Sequence, residues 1–179
     1  MGKLAEPRFV VMHFTATATA AQAIRVLADS GMNVSAHLVV DRDGSVTQMA
    51  PFDYATRHVG ASRYNDVTNL NRFSVGIELV NRGQLSRRGD TWVDWSGAAV
   101  SAAEVAVLPT PGSERPAGWH TFTEAQVRRT EELIRILRAA YPSITDVLPH
   151  HQVSPGRKMD PGPAFPIERV RRSTAPARR

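Results

Sequence analysis

Cysteine is missing from all 179 residues, which excludes disulfides and leaves histidine and carboxylate as the ligands for any metal site. No apolar run approaches the roughly 18 to 20 residues needed to cross a bilayer. The opening segment Met1-Gly2-Lys3-Leu4-Ala5-Glu6-Pro7 lacks the apolar centre of a secretory signal. The expected location is therefore cytoplasmic by default, with the envelope or the exterior requiring a signal these residues do not carry. An acidic surplus is also lacking: the formal net charge is +5. Four of those charges come from the last twelve residues, where Arg169, Arg171, Arg172, Arg178 and Arg179 face Glu168 alone. The rest of the chain is close to neutral, so no nucleic-acid partner is expected, and residues 168–179 read as a basic, solvated tail.

What is present suffices for one domain. A hydrophobic content of 42% supplies a core, expected over residues 9–167 after a short extension at 1–8. Arg8 to Thr15 is β-branched and aromatic without alternation, the pattern of a strand buried on both faces. Thr19 caps an amphipathic helix that runs to about residue 30, with Gly31 after it. Asp41-Arg42-Asp43-Gly44 turns a β-hairpin spanning 37–49, because Asp-Gly provides the positive φ of a tight turn. Phe73 to Val80 is a second core strand, Thr123 to Tyr141 is a helix opened by a capping box and ended by Pro142, and 144–149 is a short strand. The predicted fold class is α/β, a central mixed sheet flanked by helices. Residues 81–120 show no long periodicity and hold all three tryptophans; the alanine-rich stretch 96–108 predicts a short helix there.

Chemistry concentrates in His150-His151-Gln152-Val153-Ser154-Pro155-Gly156-Arg157-Lys158-Met159-Asp160-Pro161-Gly162-Pro163, a segment whose prolines and glycines suit a loop held in one shape. His150 and Asp160 offer a nitrogen and an oxygen of the kinds that bind zinc, and their spacing lets the chain return to one ion. The strongest third candidate is His13, near the carboxyl end of its strand, where open sheets with parallel strands place ligands; a core histidine bonded to a carbonyl is the other reading. Glu78 lies among apolar neighbours, and a buried carboxylate must be paired, protonated or aimed into a site. That makes it the candidate general base. His37 reads as structural or supporting, since three ligands need no fourth. It is counted with Arg57, His58, Asn71, Trp92 and Trp95 among the residues that would line a substrate cleft. The tryptophans stack on sugar rings or anchor the long segment; both readings stand.

These blocks resemble the zinc-dependent N-acetylmuramoyl-L-alanine amidases of the AmpD and AmiD type, of the same fold group as bacteriophage lysozyme-amidases and peptidoglycan recognition proteins. The resemblance rests on Val11-Met12-His13-Phe14-Thr15-Ala16, Val34-Ser35-Ala36-His37 with Asp43-Gly44, Arg57-His58-Val59-Gly60, Phe73-Ser74-Val75-Gly76-Ile77-Glu78-Leu79 and Pro155 to Pro163, in family order. It implies His13, His150 and Asp160 as zinc ligands, Glu78 as the catalytic carboxylate and Lys158 as the cation beside the scissile carbonyl. Counting the family's ten positions back from Asp160 selects His150, which makes His151 dispensable. Ala36 stands where the bacteriophage and recognition-protein branches carry a tyrosine, so Glu78 takes the acid-base task. The implied substrate is peptidoglycan or soluble anhydro-muropeptides, cut between N-acetylmuramic acid and L-alanine by a monomer. A non-catalytic peptidoglycan-binding module of the same fold is the alternative.

Overall fold

The structure, a computed structural model, describes residues 2–4, 6–113 and 115–174. The apolar run near the N-terminus forms β1 (Phe9–Phe14), followed by the helix α1 (Ala20–Ala28) and the hairpin strands β2 (Leu38–Val40) and β3 (Val46–Gln48). Gly44 holds φ 85° in the hairpin turn, as the Asp-Gly pattern requires. A small pair, β4 (Arg63–Tyr64) and β5 (Val67–Thr68), precedes the second core strand β6 (Ser74–Leu79). Five further strands follow: β7 (Gln84–Arg88), β8 (Thr91–Val93), β9 (Ala99–Val100), β10 (Val105–Pro109) and β11 (Pro116–His120). The chain closes with α2 (Glu124–Ala140), β12 (Asp146–Pro149), the single turn α3 (His150–Val153) and α4 (Ile167–Ser173).

The main sheet has the order β12-β1-β6-β2-β3, parallel except for the β2–β3 hairpin. Its two faces are both covered, which explains why β1 shows no polar alternation. Val10 and Met12 join Ile77, Leu79, Val127, Ile134 and Leu137 beneath α2, while Phe9 and Val11 pack with Val59, Leu70 and Leu148 on the opposite side. The capping box at Thr123 and Gln126 starts α2, and the same buried Gln126 donates from Nε2 to the Val80 carbonyl at 2.9 Å, tying the helix start to the sheet.

Two expectations are corrected. Residues 96–108 do not form an α-helix: a three-residue 3₁₀ turn, Ala102–Glu104, separates β9 from β10. Val105, Val107 and their neighbours pair antiparallel with β11, and three residues of alanine-rich turn are far too few to propagate a helix. The 81–120 segment is a second antiparallel sheet, ordered β10-β11-β7-β8-β9. The basic end is likewise not a solvated tail throughout, because residues 167–173 form α4 with Val170 wholly buried in the main core. Arg169 clamps this helix to α2 through Glu124 (2.8 Å) and Glu131 (3.1 Å). Arg178 and Arg179 lie outside the described residues.

Candidate metal centre and active site

Parallel pairing brings the chemistry together. His13 stands opposite Glu78 in the β1–β6 register, and Met12 stands opposite Pro149 in the β1–β12 register, so His150 emerges beside His13 at the carboxyl ends of adjacent strands. The turn after α3 then returns Asp160, with its carbonyl accepting from the His151 N–H at 2.9 Å. His13 Nδ1 and His150 Nδ1 lie 2.8 and 2.9 Å from the same oxygen, Asp160 Oδ2. All three side chains are buried, and their ligand atoms fall within 4.8 Å of one another. They open onto a cavity of about 250 Å³ that Glu78, Lys158, Arg57 and the apolar face of α1 also line.

The hydrogen bonds around these rings determine which atoms carry protons. The Ser74 hydroxyl donates to the Leu70 carbonyl at 2.6 Å, so its oxygen accepts from His58 Nε2–H at 3.2 Å. Burial holds His58 well below its ordinary pKa, hence neutral, and its Nδ1 is left to accept from His13 Nε2–H at 3.0 Å. Burial likewise lowers His13 to about 4. A neutral His13 protonated at Nε2 presents a bare Nδ1. His150 donates its Nε2–H to the Val59 carbonyl at 3.0 Å, which frees its Nδ1 in the same way. Two lone pairs and a carboxylate oxygen therefore converge, an arrangement that a bound cation would stabilise. Tetrahedral zinc bound at about 2.0 to 2.1 Å would set such atoms about 3.3 Å apart, against 2.8 and 2.9 Å between the histidine nitrogens and Asp160 Oδ2 and at most 4.8 Å across the set. The donor set fits a divalent ion, and each histidine carries the outer partner that metal-bound imidazoles need.

Glu78 has a buried Oε2 with no hydrogen-bond partner. Burial, then the charge of Asp160, pushes its carboxyl well above the usual range, with Lys158 opposing. Lys158 is exposed at the cavity wall.

The residues expected to line the cleft divide. Arg57 reaches the cavity, with its guanidinium donating to Asn33 Oδ1. His58 contributes a wall, but both of its nitrogens are committed internally. His37 does not meet substrate: it is fully buried, donates from Nε2 to the Tyr54 carbonyl at 2.9 Å, and accepts at Nδ1 from Gly76 N–H (3.0 Å) and the Thr56 hydroxyl (3.1 Å). Asn71 is also buried, and its Oδ1 accepts from the backbone N–H of His58 (3.1 Å) and Val59 (2.9 Å), aiming the loop that carries both histidine partners. Trp92 packs flat against Gly118, where an added Cβ would fall 2.4 Å from its ring, and Arg87 stacks on it at 4.6 Å. These three are corrections, and they share a cause: each side chain spends its polar or flat surface on the protein itself. Trp95 alone of the tryptophans remains exposed, and it is not among the residues that line the cavity. Ser74 and the Val59 carbonyl were not singled out from the sequence. A serine opening a strand and a main-chain oxygen carry no local signal.

Fold and site together define a mixed α/β protein with a His-His-Asp centre for a metal ion at the carboxyl ends of parallel strands. The chain belongs to the N-acetylmuramoyl-L-alanine amidase family, whose pattern matches residues 3–163. It is 32% identical over 141 residues to the 1,6-anhydro-N-acetylmuramyl-L-alanine amidase AmpD of Salmonella typhimurium, an alignment covering 78% of this chain and 57% of that protein. This chain thus spans little more than half the length of that curated relative. Among solved structures, the N-acetylmuramyl-L-alanine amidase AmiD from E. coli, in complex with the substrate anhydro-N-acetylmuramic acid-L-Ala-D-gamma-Glu-L-Lys, superposes with a TM-score of 0.71 at 25% identity. That match covers 97% of this chain and 60% of AmiD. A selenomethionyl AmpD superposes at 0.68 with 25% identity, covering 96% of this chain and 86% of that one.

Proposed function

We propose that this protein is a zinc-dependent N-acetylmuramoyl-L-alanine amidase, hydrolysing the amide between N-acetylmuramic acid and L-alanine in peptidoglycan or anhydro-muropeptides. The observation that carries the reading is the meeting of His13, His150 and Asp160 in one cavity beside Glu78, whose buried Oε2 has no partner. Family membership and the substrate complex of AmiD support it. Every group comes from one chain, so a monomer suffices.

Zinc held by the three ligands would supply Lewis acidity, acidifying water and polarising a carbonyl. The chain's own groups do the rest. Glu78 Oε2 takes a proton from the water that attacks the lactyl carbonyl, and gives it to the L-alanine nitrogen as the C–N bond breaks. Burial raises this carboxyl and so strengthens it as a base for the first half of that transfer. The Lys158 ammonium, on the cavity wall, faces negative charge developing on the carbonyl oxygen. Apolar α1 residues Ala23, Val26 and Leu27 line the same cavity and limit competing water.

Mass spectrometry of products from muropeptides and intact sacculi, with and without chelator, tests the reading. Release of intact stem peptide that stops with chelator and returns with zinc is expected. Glu78→Gln should keep stoichiometric zinc by metal analysis while its rate falls by about 10²- to 10⁴-fold. Full activity in that variant removes Glu78 from the chemistry.

A further inference from the structure

One residue from a turn of the second sheet bonds to the cavity lining without itself forming part of it, and is not used by the metal centre. Trp95, in the turn between β8 and β9, is 77% exposed, the most exposed large apolar side chain among the described residues. Its indole N–H donates to the Ala16 carbonyl at 2.7 Å. Ala16 lines the cavity and holds φ 55°, the left-handed conformation that an alanine adopts only at a cost. The turn itself is stiff. Asp94 Oδ1 accepts from Ser96 N–H and Ala98 N–H, both at 3.0 Å, and from the Ser96 hydroxyl at 2.6 Å, while its other oxygen meets Arg82.

A loose tryptophan would fold its ring onto the surface and remove apolar area from water. Trp95 is prevented from doing so, because its polar edge is pinned to the rim and the rest of the ring stands in solvent. Trp92 shows the contrast, since its ring is spent on Gly118 and Arg87. A flat apolar face held rigid beside a cavity is able to stack on the face of a ligand ring. The cavity residues at its anchor, Thr15 and Ala16, offer a hydroxyl and backbone but no charge. Such company matches a ligand that has an apolar face and an uncharged polar edge.

We propose that Trp95 is a stacking platform for a pyranose ring of the glycan strand, beyond the sugar that carries the scissile amide. A pyranose presents C–H groups on one face and hydroxyls around its edge, so stacking on the indole buries apolar area from both partners and leaves the hydroxyls wet. This inference rests on the amidase reading, and it assigns an extended glycan as the class of substrate the second sheet serves.

Tetra-N-acetylchitotetraose, which has the glycan backbone without peptide, is the probe. Titrated into the whole zinc-loaded protein, it is expected to bind saturably and to change tryptophan fluorescence. Trp95→Ala should weaken that binding by about tenfold, whereas Trp95→Phe, which keeps a ring, should stay within about threefold of the parent. On intact sacculi the loss in Trp95→Ala should appear in KM. No saturable binding by the parent protein, or equal binding by Trp95→Ala, overturns the proposal even if stem peptide is released normally. Trp95-dependent binding without any peptide release would sink the amidase reading and leave the platform standing.

Discussion

His58 gives no atom to the metal triad, yet it decides what His13 can offer. Its Nδ1 accepts the proton that would otherwise be free to sit on the wrong side of the His13 ring, and Ser74 and Leu70 hold it in that state. Space is reserved for it: a Cβ on Gly76 would lie 2.6 Å from the His58 ring. Loss of such an outer partner weakens metal binding about 10- to 100-fold. His58→Ala should therefore lower zinc affinity by that factor in competition with a chromophoric chelator, with Ser74→Ala acting in the same direction by less. Unchanged zinc affinity in His58→Ala would show that the proton relay does not matter. His151, by contrast, sends no ring atom to the triad, its Nδ1 lying 3.3 Å from the Asp160 carbonyl, and His151→Ala should bind zinc as the parent does.

At the scale of elements, α4 shows how charge composition can hide a packing role. Five of its seven residues are charged or polar, but Val170 is inserted into the core and Arg169 bridges to Glu124 and Glu131 on α2. The Arg169–Glu124 pair is exposed and contributes little, whereas Glu131 is itself buried. Burial of the valine is the larger effect. Val170→Ala should lower unfolding free energy by about 2 kcal/mol in urea titration, because two buried methyl groups are lost and the helix can only partly collapse into the space. A change below about 0.5 kcal/mol would mean that α4 is not part of the cooperative core.

For the whole molecule, buried neutral histidines set the response to acid. Away from the metal centre, burial lowers His37 from 6.5 to about 4. His120 falls from 6.5 to about 4 as well, through burial and then the nearby charge of Arg42. In each case the unfolded chain binds a proton that the folded chain refuses between those two values. Stability is therefore complete above pH 6.5 and is lost as pH falls toward 4, by roughly 3 kcal/mol for His37 alone. Thermal melts in chelator should show Tm declining steadily across that window, and a flat profile would contradict the burial of these rings as neutral groups. His37→Gln should shallow the decline, whatever it costs at neutral pH.

The residues that meet at the site, His13, His150, Asp160 and Glu78, and every element of the main sheet were legible in the amino-acid order. Apolar periodicity, the Asp-Gly turn, the capping box and the crowded Pro-Gly loop are local signals of local geometry. The tertiary structure alone decided which of the other polar residues face a ligand and which face the protein. His37 and Asn71 look like site residues in sequence and turn out to hold the backbone, while Ser74, unmarked in sequence, completes the relay behind His13. It also converted a segment without periodicity into a second sheet and a basic tail into a packed helix. The reason is that a contact such as that between His13 Nδ1 and Asp160 Oδ2 joins residues 147 positions apart. Propensity and pattern describe what a stretch can form by itself, whereas the partner of a buried nitrogen is set by strand order and register, which no single stretch contains.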